Sequence, residues 1–280
     1  MEILTVSEFR RLSEESNYIV VVDARGGANA LERFRTSHLK NAVFANLESD
    51  LSQKSQDPAT GGRHPLPSPA QFSAFLTSIG INKDTTVVAY DDKNGANAAA
   101  RFWWMLKSAG HHKVYLISGG LQSLANAGFE MESGEHHISR EGNYDFDEWK
   151  LSNVTLEEVA EAASRKNYVV IDVRENFRYR GESEPIDLVA GHIPGAINIP
   201  YTTNLDENGL FLSTEELSRK YREVLKDYNT ENVYVHCGSG VTACHTLLAL
   251  SEAGLGGASL YVGSWSEWSR NERPVATENE

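Results

Sequence analysis

The chain has 280 residues, 40% of them hydrophobic and 23% charged, enough for two domains that each bury a core. Its 26 Lys and Arg stand against 39 Asp and Glu, a formal net charge of −13, which excludes the clustered basic surface of a nucleic-acid or anionic-membrane binder. No apolar run approaches the ~18 residues of a membrane span, Met1-Glu2-Ile3-Leu4-Thr5 does not read as a signal peptide, and the two cysteines build no disulfide framework, so a cytoplasmic protein is expected.

Taken in chain order, Thr5-Val6-Ser7-Glu8 is a capping signal that opens an amphipathic helical pattern. Ile19 to Arg25 is an apolar strand ending in Asp23-Ala24-Arg25, and His38-Leu39-Lys40-Asn41-Ala42 is a turn leading into a short strand. Ser49 to Pro67, rich in Gly, Ser, Gln and Pro, reads as a long loop of the first domain or a cover over the domain interface. A helix over Pro69 to Ile79, a buried strand over Thr86 to Tyr90, a helix ending at Ala109-Gly110 and a strand with a glycine turn over Val114 to Gly120 complete the first half.

The second half repeats this order. Thr155-Leu156-Glu157-Glu158 caps a helix, Tyr168 to Arg174 is the strand ending in Asp-x-Arg, and His192-Ile193-Pro194-Gly195-Ala196 is the turn. A helix over Thr214 to Leu225, a strand over Val233 to His236, a helix over His245 to Ala253 and a strand over Leu260 to Gly263 follow. The polar, aperiodic stretch 135–153 reads as the linker between a first domain at 1–134 and a second at 154–280. Short apolar strands alternating with helices predict an α/β fold in each half, a parallel sheet with helices on both faces. Ligands of such sheets bind beyond the carboxyl ends of the strands.

One of those ends carries Cys237, followed by Gly238-Ser239-Gly240-Val241-Thr242-Ala243. A thiol between a strand and a helix N-terminus faces unpaired backbone N–H groups and the positive end of a helix dipole, which favours the thiolate. The first-half counterpart is Asp91, which cannot carry sulfur, so cysteine chemistry is expected only in the second domain. Phosphatase chemistry in such a cradle would need an arginine six positions after the cysteine, where this chain has Ala243.

These motifs resemble the tandem-domain rhodanese family, the thiosulfate and 3-mercaptopyruvate sulfurtransferases. The likeness runs from Val21 to about Asn271 and rests on His192-Ile193-Pro194-Gly195-Ala196, on the Cys237 loop and on Tyr261-Val262-Gly263-Ser264-Trp265-Ser266-Glu267-Trp268, where Val262 replaces the usual acidic residue. The resemblance implies two rhodanese-like domains, the first catalytically inactive, and ping-pong sulfur transfer in which Cys237 alternates between thiolate and persulfide. It implies substrate contacts from Arg178, Gly238, Ser239, Gly240, Val241 and Thr242, with no cofactor and no metal. The neutral Gly238-Ser239 pair resembles the mercaptopyruvate type, with thiosulfate as the alternative donor and cyanide or a thiol such as thioredoxin as acceptor. Ile186 stands where the mercaptopyruvate enzymes carry a second arginine. A non-catalytic binding or redox scaffold is the remaining reading.

Other residues read as structural. Cys244, Trp265 and Trp268 suit a core, His236 suits packing on the face opposite its neighbour, and Asp23 with Arg25 and Asp172 with Arg174 suit ion pairs. His38 and His192 suit bonds to local backbone, while Arg180 and His64 are further candidates to approach the cleft.

Overall fold

Four helices begin on a reciprocal capping box, in which a hydroxyl accepts the N–H three residues on and a carboxylate or amide there accepts in return. The pairs are Thr5 with Glu8, Ser68 with Gln71, Thr155 with Glu158 and Ser213 with Glu216. A computed structural model of the chain describes residues 1–16, 18–53, 56–135, 141–226 and 228–277. They fall into two units, Met1–Gln53 with Pro67–Lys150 and Asp206–Phe211, and Lys54–Leu66 with Leu151–Leu205 and Leu212–Glu280.

The first unit runs β1 (Ile3–Leu4), α1 (Val6–Glu15), β2 (Ile19–Arg25), α2 (Ala30–Thr36), β3 (His38–Leu39), β4 (Val43–Asn46), α3 (Pro69–Ser78), β5 (Thr86–Tyr90), α4 (Ala98–Ser108), β6 (Val114–Ile117), α5 (Gly120–Asn126) and β7 (Met131–Glu132). Its sheet is parallel throughout in the order β1-β6-β5-β2-β4, with β3 and β7 forming an antiparallel pair. Phe9 of α1 and Leu124 of α5 are buried with Val88 and Tyr90 of β5, so the alternate residues of the central strand set the core. The pair of Asp23 and Arg25 is buried and bidentate at 2.6 and 2.7 Å.

The second unit repeats the plan with β8 (Asn153–Val154), α6 (Leu156–Ala163), β9 (Val169–Asp172), α7 (Asn176–Tyr179), β10 (Ile197–Asn198), α8 (Thr214–Leu225), β11 (Val233–His236), α9 (Thr242–Glu252), β12 (Ser259–Tyr261) and α10 (Ser264–Trp268). Its parallel sheet has the order β10-β9-β11-β12-β8. Trp265 and Trp268 are buried with Val154, Val159 and Ile193. His38 and His192 each place Nδ1 at 2.8 Å from a local carbonyl, of Phe34 and Tyr179.

Four stretches depart from the sequence reading. The strand at β9 stops at Asp172, where its pairing with β10 ends at Asn198, whereas β2 continues to Arg25 against Asn46 of β4. Helix α9 starts at Thr242, three residues early, with Val241 as its N-cap after Gly240 with its φ of +72°. The segment 54–66 belongs to the second unit rather than to a loop of the first. There the Gly61 N–H donates to Glu267 at 2.7 Å, and a Cβ on Gly62 would lie 2.4 Å from the Gly263 carbonyl. The stretch read as linker also carries core residues of the first unit. Phe146 meets Phe72 and Trp149 edge-on, Trp149 lies tilted against Phe72 and Trp104, and Asn153–Val154 is already β8. Residues 136–140 lie outside the described residues.

The loop after β5 shows what this backbone does with an anion. Both oxygens of the buried Asp91 carboxylate accept two backbone N–H groups, from Lys93 and Gly95 at 2.8 Å and from Asn97 and Ala99 at 3.0 and 3.1 Å. Burial pushes this carboxyl up to about 6 against the pull of those four bonds, from an ordinary value of 3.8. The folded state therefore holds the proton more tightly, and the group's contribution to stability, full below about pH 4, is lost as pH rises through about 6. Urea unfolding followed from about pH 4 to about pH 7 should show the stability of the wild type falling by about 2–3 kcal/mol relative to Asp91→Asn. Parallel pH profiles for the two proteins would contradict this account.

Candidate active site

Cys237 follows directly on β11, whose last residue His236 pairs in register with Asp172 of β9. It is 2% exposed. The start of α10 holds the loop from one side. The Cys237 N–H donates to Ser264 Oγ at 3.2 Å, and the carbonyls of Cys237 and Gly238 accept from the N–H groups of Trp265 and Ser266 at 3.0 and 2.8 Å. The Gly240 carbonyl accepts from Cys244 Sγ at 3.3 Å. In a planar trans peptide the N–H points opposite to the carbonyl it is bonded to. The N–H groups of Gly238, Ser239 and Val241 therefore turn away from α10 and from Cys244. Gly240 permits the bend, since a Cβ there would lie 2.5 Å from the Val262 carbonyl.

The loop itself contains no cation, and guanidinium groups reach it from elsewhere. A Cβ on Gly238 would stand 3.3 Å from Arg63 Nη2, 3.4 Å from Arg178 Nη2 and 3.7 Å from Asp187 Oδ2. Arg178, on α7, is buried and held by Glu184 through Nε at 3.0 Å and Nη2 at 2.8 Å, with Glu175 at 3.3 Å and Asp187 at 3.5 Å. Burial works against its charge, but these carboxylates outweigh it and hold the guanidinium above its ordinary value. Glu184 also accepts Arg174 at 3.1 Å, and Arg174 closes on Asp172 at 2.6 Å and lies 4.4 Å over the Trp265 ring. Asp187 pairs in addition with Arg63 and with Arg270, the latter at 3.1 Å.

Ser239 Oγ lies 2.8 Å from His64 Nδ1. His236 is wholly buried, its Nδ1 3.2 Å from the Cys237 carbonyl, and burial lowers its pKa, keeping the ring neutral.

Of the residues singled out in the sequence, Cys237, Gly238, Ser239, Gly240, Val241 and Thr242 form one turn, and Arg178 adjoins it at Gly238. His64 reaches the turn. Arg180 does not join this group, being exposed beside Glu182 at 3.9 Å. Ile186 is 55% exposed. The sequence reading missed Arg63, Glu184, Asp187 and Arg270. The run Gly61-Gly62-Arg63-His64, a basic pair on a glycine turn, was the available signal for the first of them.

Residues 5–127 and 155–271 each match the family model described as Rhodanese-like domain. The chain is 39% identical over 283 residues to a Pseudomonas aeruginosa protein named "Probable 3-mercaptopyruvate sulfurtransferase", spanning 99% of this chain and 98% of that one. It is 33% identical over 247 residues to the thiosulfate sulfurtransferase of Gallus gallus, spanning 88% and 83%. The solved structure of 3-mercaptopyruvate sulfurtransferase from Leishmania major matches with a TM-score of 0.83 at 31% identity, over 98% of this chain and 75% of that one.

The two loop glycines should respond differently to a methyl group. Gly240→Ala forces a side chain into the left-handed region against a fixed carbonyl and should cost about 1–3 kcal/mol of stability. Gly238→Ala meets only the ends of arginine and aspartate side chains and should stay within about 1 kcal/mol of wild type. Equal melting temperatures for the two variants would refute this backbone reading.

Proposed function

This chain belongs to the rhodanese-like family, and from that premise we propose a sulfurtransferase that moves sulfur from 3-mercaptopyruvate to a thiol or cyanide through a persulfide on Cys237. The observation that carries the proposal is the placement of Cys237 at the carboxyl end of β11, before the N-terminus of α9, where the first unit has the self-filled loop of Asp91. Catalysis is assigned to the second domain, 154–280, together with segment 54–66, and the domain at 1–134 is assigned a supporting role. No helix among the described residues is long and apolar enough to cross a membrane, and we assign the protein to the cytoplasm.

In the first half-reaction the Cys237 thiolate attacks the sulfur of 3-mercaptopyruvate. The carbon–sulfur bond breaks, its electron pair leaves as the enolate of pyruvate, and a proton converts the enolate to pyruvate. The backbone N–H groups turned away from α10 are suited to the persulfide anion, as their counterparts suit the Asp91 carboxylate. Ser239 and His64, hydrogen-bonded to each other, are suited to polarise the keto oxygen or to deliver that proton. In the second half-reaction an acceptor nucleophile, cyanide or a thiol such as that of thioredoxin, takes the outer sulfur and restores the thiolate.

The neutral loop carries the choice of donor. Thiosulfate is a dianion, and residues 238–243 offer it no basic side chain. The guanidinium groups near Gly238 suit the single carboxylate of 3-mercaptopyruvate.

Intact-mass spectrometry after treatment with 3-mercaptopyruvate should show one added sulfur on Cys237, kept in Cys244→Ser and lost in Cys237→Ser. No adduct on the wild type with either 3-mercaptopyruvate or thiosulfate would sink the enzymatic reading in favour of a binding scaffold. A higher kcat/KM for thiosulfate would overturn the donor alone. Removing the polar partner of Ser239 with His64→Ala should lower kcat by about 100-fold, the lower range for a positioned acid–base group. An unchanged kcat would remove His64 from the chemistry.

A further inference from the structure

We infer that the second unit carries, apart from the Cys237 loop, a binding site for a small aromatic anion, a planar ring bearing one carboxylate or sulfonate. The site is a cleft of about 430 Å³ whose walls include Ala160 and Ala163 of α6, Pro194, Trp268 of α10, Arg273 and Pro274. That volume falls in the range of about 300–1,000 Å³ usual for small-molecule sites. No residue of the cleft belongs to the Cys237 turn or to the ion pairs around Arg178.

The repeat shows what occupies this place when it is filled. The N-caps Thr5 and Thr155 align α1 with α6, so Arg10 corresponds to Ala160 and Ser13 to Ala163. The bridges from His38 to Glu132 and from His192 to Ala276 align the closing segments, so Phe129 corresponds to Arg273 and Glu130 to Pro274. Gly128 and Glu272, with φ of +74° and +50°, share that register. In the first unit Phe129 stacks on Phe9 at 5.3 Å, and the Arg10 guanidinium lies 4.3 Å over the Phe129 ring. Arg10 also donates to the Ala127 carbonyl at 3.0 Å, and Lys40 pairs with Glu130 at 2.8 Å.

The second unit exchanges each of these groups. Ala160 replaces the covering arginine, Arg273 replaces the phenylalanine, and Pro194 and Pro274 replace the Lys40–Glu130 pair. The cleft is the space that the ring and its guanidinium fill in the first unit. Trp268 is buried, and its Nε1 donates to the Pro274 carbonyl at 2.9 Å, so it forms an aromatic wall of fixed orientation. Gly195 closes the floor, since a Cβ there would lie 2.5 Å from the Ala163 carbonyl oxygen. Arg273 is the one charged residue among the described lining, and its exposed contact with Glu157 at 3.1 Å is weak enough to yield to a bound anion. A ligand ring therefore takes the place of Phe129, and its anionic substituent meets the guanidinium.

The test titrates 1-anilinonaphthalene-8-sulfonate into the full-length native protein and follows the fluorescence of the probe. Saturable binding of one probe per chain is expected, unchanged in Cys237→Ser and in the presence of saturating pyruvate. Arg273→Gln should weaken it about 10-fold, the effect of one lost charged hydrogen bond. Ala160→Arg combined with Arg273→Phe rebuilds the stack of the first unit and should abolish binding. Ala163→Leu fills the cleft from α6 and should abolish it without altering Arg273, which covers the case in which the double variant fails to fold. No saturable binding to the wild type, or wild-type affinity in both Arg273→Gln and Ala163→Leu, overturns the assignment. Loss of binding in Cys237→Ser or displacement by pyruvate overturns it equally, by placing the probe at the Cys237 loop.

Discussion

Everything at the Cys237 loop depends on a chain of buried ion pairs that begins one strand away. Asp172 closes on Arg174, Arg174 on Glu184, Glu184 on Arg178, and Arg178 on Asp187. Asp172 lies beside His236 in register, so the chain starts at the level of the proposed nucleophile and returns to it above Gly238. Removing one member of such a network strands an uncompensated buried charge, at about 3–5 kcal/mol, whereas replacing a whole pair by apolar side chains is often neutral. Stability therefore does not explain the arrangement. Its consequence is positional, because a guanidinium gripped by Glu184 through Nε and Nη2 keeps little freedom and presents its edge to the loop.

The two units show one backbone plan with two different residues at the loop, Asp91 and Cys237. Each has the Asp-x-Arg pair at the end of the strand beside its central one, and each has a loop and helix following the central strand. In the first unit the network is short. Arg25 reaches the Ser37 carbonyl and approaches Asp92 at 3.9 Å, Asp92 pairs with Arg33, and the loop N–H groups are consumed by Asp91. In the second unit the network extends to Glu184 and Asp187, and a cysteine stands in place of the internal carboxylate. The shared part stabilises the turn, and the extension brings cations to the site.

Local chemistry explains what could be read from the sequence. Capping boxes act over three residues and buried strands over five or six, so Thr5, Thr155 and the runs Thr86–Tyr90 and Val233–His236 announce themselves. The Cys237 turn is likewise contiguous. Arg63 was not legible because its partner Asp187 lies 124 residues away, and Ser239 lies 175 residues from His64. Glu184 and Asp187 sit in a stretch of Gly, Ser and Pro that reads as solvated, and only the arginines around them make their burial affordable. The aromatic side chains Tyr144, Phe146 and Trp149 are too widely spaced among polar residues to show a period, yet they pack in the first unit.

A neutral loop with imported cations is a different physical solution from a loop that carries its own. A lysine or arginine inside residues 238–243 would bring a flexible charge close to the Cys237 sulfur whether or not a donor is bound. Here the charge comes on Arg178, fixed by α7 and Glu184, and on Arg63, whose backbone is fixed by Ser266. Gly238 keeps open the space that both of them face. On the proposed function, the loop's N–H groups remain available to sulfur while the guanidinium groups near the donor come from residues outside the loop. On this reading donor preference is set in segments 61–63 and 178–187, and the chemistry of the sulfur atom is set in 237–243, so the two can vary independently on the same fold.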